Sequence, residues 1–163
     1  MDILFSVGPC VLGRVLVATS PRGVCAILLG DDAVELAREL RQRFPEATLR
    51  ESGAELTEKV ATFIARPAMG LDEPLDLRGS EFELRVWRAL QQIPVGSTQT
   101  YGEVAARIGA AQAAKEVGEA CAANVLAVAV PCHRVVRKDG GLAGYRWGVA
   151  RKRALLQSEH ERA

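Results

Sequence analysis

The chain has 163 residues, 48% of them hydrophobic and 25% charged, with 21 basic and 20 acidic side chains and a formal net charge of +1. That length and apolar share suit one or two small domains with a real core. The even charge balance excludes a global field that would draw the chain to nucleic acid or to a membrane surface, so any basic footprint must be local.

The amino terminus, "MDILFSVGPC", lacks the basic flank and long apolar core of a secretory signal, and no apolar run approaches membrane-spanning length. An intracellular, cytoplasmic protein with reduced thiols is expected, with no membrane contact. The segments "ILFSVGPC", "GRVLVATS" and "GVCAILLGDD" read as strands, and "SPRG" punctuates the last two as a hairpin turn. "DDAVELARELRQRF" follows as an amphipathic helix with Val34, Leu36, Leu40 and Phe44 on its apolar face, acids first and bases last. A second helix, "GAELTEKVATFIA", precedes the Pro- and Gly-rich connector "RPAMGLDEPLDLRG", which divides the chain into residues 1–77 and 78–163.

The second part opens with "SEFELRVWRALQQI", where Ser80 and Glu83 have capping-box spacing and Phe82, Val86, Trp87 and Leu90 make an apolar stripe. Thr100 and Glu103 repeat the capping box at "TYGEVAARIG", which Gly109 ends, and "AAKEVGEACAAN" makes the next helix. Two short helices joined by a tight Gly-containing link form a helix-turn-helix pattern, although many such hairpins bind nothing. From Leu126 the period shifts toward strand through Cys132 and Val136, with a turn at "KDGG". The last helix, "VARKRALLQSEHE", carries Glu159 near its end.

The four cysteines form no CxxC pair, and with only two histidines neither a zinc site nor a disulfide framework is expected. Cys10, Cys25 and Cys121 read as buried inert thiols. Cys132 differs, because His133 adjoins it and Arg134 and Arg137 follow, and positive neighbours favour the reactive thiolate. A buried inert thiol beside a structural histidine is the bland alternative. The helix at Ala113, Ala114, Gly118, Ala120, Ala122 and Ala123 has little bulk, which suits either close helix packing or entry into a narrow groove. Arg134 to Arg153 holds seven bases against one acid, a local balance of +6. Beside a candidate nucleophile, a phosphate-binding surface accounts for that better than a solvated face.

"PCHRVV" preceded by "CAAN" and followed by "GYRWGVARKRALL", with "RVWRALQQIPVGSTQTYGEVA" upstream, resembles the O6-alkylguanine-DNA alkyltransferases. The likeness is greatest to the alkyltransferase half of the bacterial Ada proteins. The resemblance implies an α+β fold, with a small ribonuclease-H-like domain first and a winged-helix, helix-turn-helix domain second. It implies direct-reversal repair, in which the alkyl group of O6-alkylguanine (or of O4-alkylthymine) passes irreversibly to Cys132 in a single turnover. His133 would relay the thiol proton through a water toward Glu159, and Asn124 would be the hinge asparagine. Tyr101, the carbonyls of Cys132 and Val135, and the Arg146 amide would hold the extruded base. Lys115, Ala113, Ala114, Gly118, Ala122 and Arg134 would meet DNA. Double-stranded DNA bound through its minor groove is the implied partner; a monomer with no cofactor is expected. One position departs from the family's pattern: an arginine nine residues before the hinge asparagine is replaced here by Lys115. Lysine keeps the charge but loses the planar fork, and Glu116 and Glu119 add acid to the same helix.

Overall fold

The computed structural model describes residues 1–162. The chain forms two compact units. The first comprises Met1–Leu77 together with Val125–Ala127, and the second comprises Arg78–Asn124 together with the chain from Val128 onward. The chain therefore passes from one unit to the other on each side of Val125–Ala127 as well as at Leu77.

In the first unit, β1 (Asp2–Cys10), β2 (Gly13–Ser20) and β3 (Gly23–Gly30) form an antiparallel meander, and β4 (Thr48–Glu51) joins β1 in parallel, giving the order β3-β2-β1-β4. Helices α1 (Ala33–Arg43) and α2 (Glu55–Ala65) complete it. Asp32 caps α1 by accepting from the Val34 amide, and Arg41 and Arg43 lie in the last turn, the polarity that the helix dipole favours. Leu36 and Leu40 are buried as the period requires, but Val34 is 66% exposed and takes no part in the core. The outer edge of β3 is not left open. Val24 donates to the Pro74 carbonyl at 2.8 Å and accepts from Asp76 at 2.7 Å, while Ile27 exchanges bonds with Val125 and Ala127 at 2.8 and 3.0 Å. A covered edge cannot recruit a foreign strand. Gly23 makes the first of these contacts possible, since its φ is +142° and a Cβ there would lie 2.4 Å from the Pro74 oxygen.

The second unit is helical: α3 (Glu81–Gln91), α4 (Tyr101–Arg107), α5 (Ala114–Ala123) and α6 (Val149–Arg162), with a two-residue parallel pairing of β5 (Gln99–Thr100) and β6 (Val135–Val136). Both capping boxes form as the sequence spacing requires, at Ser80/Glu83 and Thr100/Glu103. Val86, Trp87 and Leu90 are buried, and the Trp87 indole donates to the Ala120 carbonyl of α5 at 2.9 Å. An α+β fold with a sheet domain first and a helical domain second is the result.

One element differs from the sequence reading. Leu126 to Val136 is not a continuous strand: Leu126 makes an isolated bridge to Ile27, Cys132–Arg134 is a turn of 3-10 helix, and Val135–Val136 pairs with β5. Burial is satisfied along this run without a ladder, Val128 is forced to a φ of 68°, and Pro131 has no N–H to donate. Apolar β-branched residues report burial here, not sheet.

Candidate active site

Three residues per turn in a 3-10 helix send successive side chains about 120° apart. Cys132, His133 and Arg134 therefore diverge into three environments, which a strand could not arrange. Asn124 ends α5 and is buried, and its Nδ2 donates to the Val130 carbonyl at 2.9 Å and to the Cys132 Sγ at 3.4 Å. The asparagine thus fixes the loop that carries the thiol and also touches the sulfur.

His133 is fully buried and its Nε2 lies 2.7 Å from Glu159 Oε2. Arg134 grips the same carboxylate through both arms, Nε to Oε1 at 2.8 Å and Nη2 to Oε2 at 2.9 Å, and donates Nη1 to the Ile93 carbonyl at 2.7 Å. Burial alone would raise the Glu159 pKa, but the hydrogen bonds from His133 and Arg134 overcome it and hold the carboxyl at about 2. An ionised carboxylate can only accept, so His133 Nε2 is the donor and Nδ1 carries the lone pair. Nδ1 is buried with no hydrogen-bond partner among the described residues. Burial lowers the His133 pKa despite Glu159, leaving a neutral imidazole at neutral pH.

The thiol itself is not preionised. Burial pushes Cys132 up to about 11, and the Asn124 hydrogen bond and the charges of Lys152 and Arg146 offset only part of that. At neutral pH the thiol is therefore protonated and needs a base to form the reactive thiolate.

Lys152 was not legible as part of this site. It is fully buried on α6, where Lys152, Leu155 and Glu159 share one helical face, and its Nζ donates to the Val135 carbonyl at 2.7 Å. A carbonyl has two lone pairs, so Val135 keeps one acceptor position. Arg134 also departs from the sequence reading. It is 6% exposed and committed to Glu159, so its guanidinium is not offered to a phosphate backbone. Of the basic segment, Arg137, Lys138, Arg146 and Arg153 are exposed and Arg151 is half-buried.

Above the thiol lies a cavity of about 320 Å³, within the range of small-molecule sites. Tyr101, Gly118, Ala122, Cys132 and Arg146 line it, as do three residues that sequence reasoning missed, Cys121, Gly144 and Tyr145. The Tyr145 hydroxyl is buried without a hydrogen-bond partner among the described residues, and its ring meets Trp147 edge-on at 5.3 Å. Burial pushes the Tyr101 hydroxyl up to about 12, so it is a proton donor throughout the physiological range. Burial raises Cys121 further than Cys132. His133, Glu159, Asn124 and Val135 lie outside the lining, and so do Lys115, Ala113 and Ala114 at the start of α5, where Lys115 is exposed.

Residues 81–161 match the family model described as 6-O-methylguanine DNA methyltransferase, DNA binding domain. The chain is 48% identical over 164 residues to the bifunctional transcriptional activator/DNA repair enzyme Ada of Escherichia coli, a match covering 99% of this chain and 46% of that protein. It is also 48% identical over 112 residues to the methylated-DNA–protein-cysteine methyltransferase of Mycobacterium tuberculosis, covering 69% of this chain and 67% of the relative. Among solved structures, the M. tuberculosis O6-methylguanine methyltransferase gives a TM-score of 0.81 at 35% identity, covering 99% of this chain and 94% of that one. The M. tuberculosis OGT in complex with DNA gives 0.79 at 34%, covering 100% and 95%. The chain spans about half the length of the Ada relatives it matches. With a family model over the second unit and near-complete structural matches, the chain belongs to the O6-methylguanine DNA methyltransferase family.

Proposed function

We propose that the protein repairs O6-alkylguanine in double-stranded DNA directly, by moving the alkyl group to Cys132. The observation that carries this is a thiol at the wall of a base-sized cavity, with an imidazole nearby in sequence whose one unpartnered atom is a lone-pair nitrogen. An alkylated guanine is extruded from the duplex into the cavity, and its weakened pairing lowers the cost of unstacking. α5, with Gly118 and Ala122 toward the cavity, is thin enough to lie in the minor groove. The Cys132 proton passes through a water to His133 Nδ1, and Glu159 stabilises the imidazolium that forms. Sγ attacks the alkyl carbon, the S–C bond forms as the C–O6 bond breaks, and guanine leaves with the electron pair. Tyr101 donates to the departing base, as does the Arg146 backbone amide. Asn124 orients the sulfur. The thioether offers water no good leaving group, so one molecule reacts once.

Of the two thiols in the cavity, Cys132 is favoured because Asn124 donates a hydrogen bond to its sulfur, whereas the Cys121 thiol is raised further. The reaction needs DNA and reduced thiols, which agrees with four free cysteines and with a cytoplasmic setting. The test is to incubate the protein with a methylated-guanine duplex and weigh it intact. A gain of one methyl group, mapped to Cys132, is expected; no gain, or a gain on another residue, overturns the proposal.

A further inference from the structure

The ends of α3 and α4 meet at a second basic surface, formed by residues that do not line the thiol cavity. Arg85 and Arg88 on α3 and Arg107 on α4 are all exposed, and with Ala89, Gln92 and Ile108 they line an open depression of about 370 Å³. Arg107 donates to the Ala89 carbonyl at 3.2 Å and to the side-chain oxygens of Gln99 and Gln92 at 2.6 and 2.8 Å. Arg85 donates to the Ile108 carbonyl. These acceptors are all neutral, and Arg88 has no hydrogen-bond partner among the described residues. Two exposed bases of the first unit are instead ion-paired, Arg38 with Glu35 at 2.5 Å and Lys59 with Glu73 at 2.9 Å.

Arg85 and Arg107 each cap the carboxyl end of the other's helix, which is a structural duty. The two helix ends return about −0.5 of charge each, so about +2 of the three charges is left uncompensated. Arg88 has no such duty, and stands three residues from Arg85 on the same face of α3. Planar guanidiniums held by neutral acceptors, with unused N–H groups, can donate in pairs to the oxygens of a phosphate.

We propose that this surface is a second phosphate-binding face, and that its occupant is the sugar–phosphate backbone of duplex DNA. The depression is open, which suits the edge of a polymer better than a small ester, and all three arginines lie inside the segment that matches the DNA-binding family model. From Tyr101 to Arg107 is about 9 Å of helix axis, or about three phosphates along one strand. The inference rests on the DNA-binding reading above and adds to it a contact remote from the cavity.

Binding of an unmodified 24-bp duplex by fluorescence anisotropy, titrated with KCl, tests it. Arg88→Gln should weaken binding several-fold at moderate salt and reduce the slope of log K against log[KCl] by about 0.9, and Arg88→Glu should weaken it further. Alkyl transfer from free O6-benzylguanine should be unchanged in both, which certifies the fold. Arg137→Gln, in the basic segment after Cys132, is the control for the reading itself. If the parent binds, Arg137→Gln weakens it and both Arg88 variants match the parent in affinity and slope, this second face is refuted alone. If the parent does not bind duplex at all, the DNA reading falls and this inference with it.

Discussion

The two units of the molecule fill their interiors differently. The first buries strand and helix side chains such as Ile3, Leu16, Ile27, Leu40 and Ile64, with Thr57 and Asp76 as its buried polar groups. The second buries Asn124, His133, Arg134, Lys152 and Glu159, four of them ionisable, with His133 and Arg134 both bonded to Glu159. A buried ion pair is weak evidence for stability, because well-packed apolar groups of the same volume often do as well or better. The concentration of buried ionisable side chains in the second unit points to chemistry there, with the first unit's core serving to hold a shape. Substitutions should therefore separate the units by what they change.

The largest effect expected is from Cys132→Ala. Alkyl transfer should be abolished while duplex affinity stays largely intact, since phosphate contacts and groove fit supply affinity, and the melting temperature should move little. Intact mass after exposure to a methylated duplex decides it. If the variant still gains a methyl group, Cys121 in the same cavity becomes the acceptor to examine.

Glu159→Gln comes next, and here stability and chemistry should fail together. The variant leaves the Arg134 charge buried without its partner, at a cost of about 3–5 kcal/mol, and should slow transfer on the order of 10²-fold by removing the support of the imidazolium. Arg134→Met/Glu159→Gln should recover much of the stability and none of the rate, as read by urea denaturation and single-turnover kinetics. A single variant as stable as the parent would mean that the cluster is not a coupled unit. The pH dependence has a defined sign. Glu159 falls from its ordinary 4.5 to about 2 on folding, so the unfolded chain binds the proton first, and the stability this carboxylate confers above pH 4.5 is lost as pH drops toward 2. His133 is also lowered, from 6.5, which makes the folded state lose stability as pH falls below that value. Glu159→Gln should erase the lower of these two windows.

How much of this was legible in the sequence follows from the range of each interaction. The capping boxes at Ser80/Glu83 and Thr100/Glu103 are local, and both formed. The Cys132-His133 pair was visible as a motif, and Glu159 was placed only by family resemblance. Lys152 and Arg134 were read as surface bases because a charged residue is exposed unless something pairs with it. What pairs with Arg134 stands 25 residues later, and no local pattern foretells that. The 3-10 turn was hidden by β-branched neighbours whose burial imitates a strand.

In the first unit, Leu40→Ala tests the other half of the comparison. Leu40 is fully buried on α1, and truncating it should cost about 2–5 kcal/mol. The rate constant with free O6-benzylguanine, measured on folded protein well below the transition, should equal the parent's. A rate that fell with stability would show that the first unit shapes the cavity, and the contrast between the units would collapse.

The smallest effect should come at Lys115, where stability and function pull in opposite directions. Lys115 is exposed in the first turn of α5, a helix whose N-cap, Ala113, supplies no side-chain hydrogen bond. A cation there opposes the helix dipole by about 0.3–1 kcal/mol. Lys115→Ala should thus leave the fold slightly more stable, which gives the lysine no structural reason to be present. In the proposed complex it stands where the family places an arginine that fills the gap left by the extruded base. An arginine can stack its plane in the duplex and hydrogen-bond at once, whereas lysine offers a hydrated point charge on a flexible stem. One such contact, worth roughly 1 kcal/mol, changes the flipping-dependent step several-fold. Lys115→Arg should react faster than the parent on duplex DNA and Lys115→Ala more slowly than either. With free O6-benzylguanine, where nothing is flipped, all three should be alike. Equal rates on the duplex would remove Lys115 from the intruding position, and a spread of rates on the free base would place it at the chemistry instead.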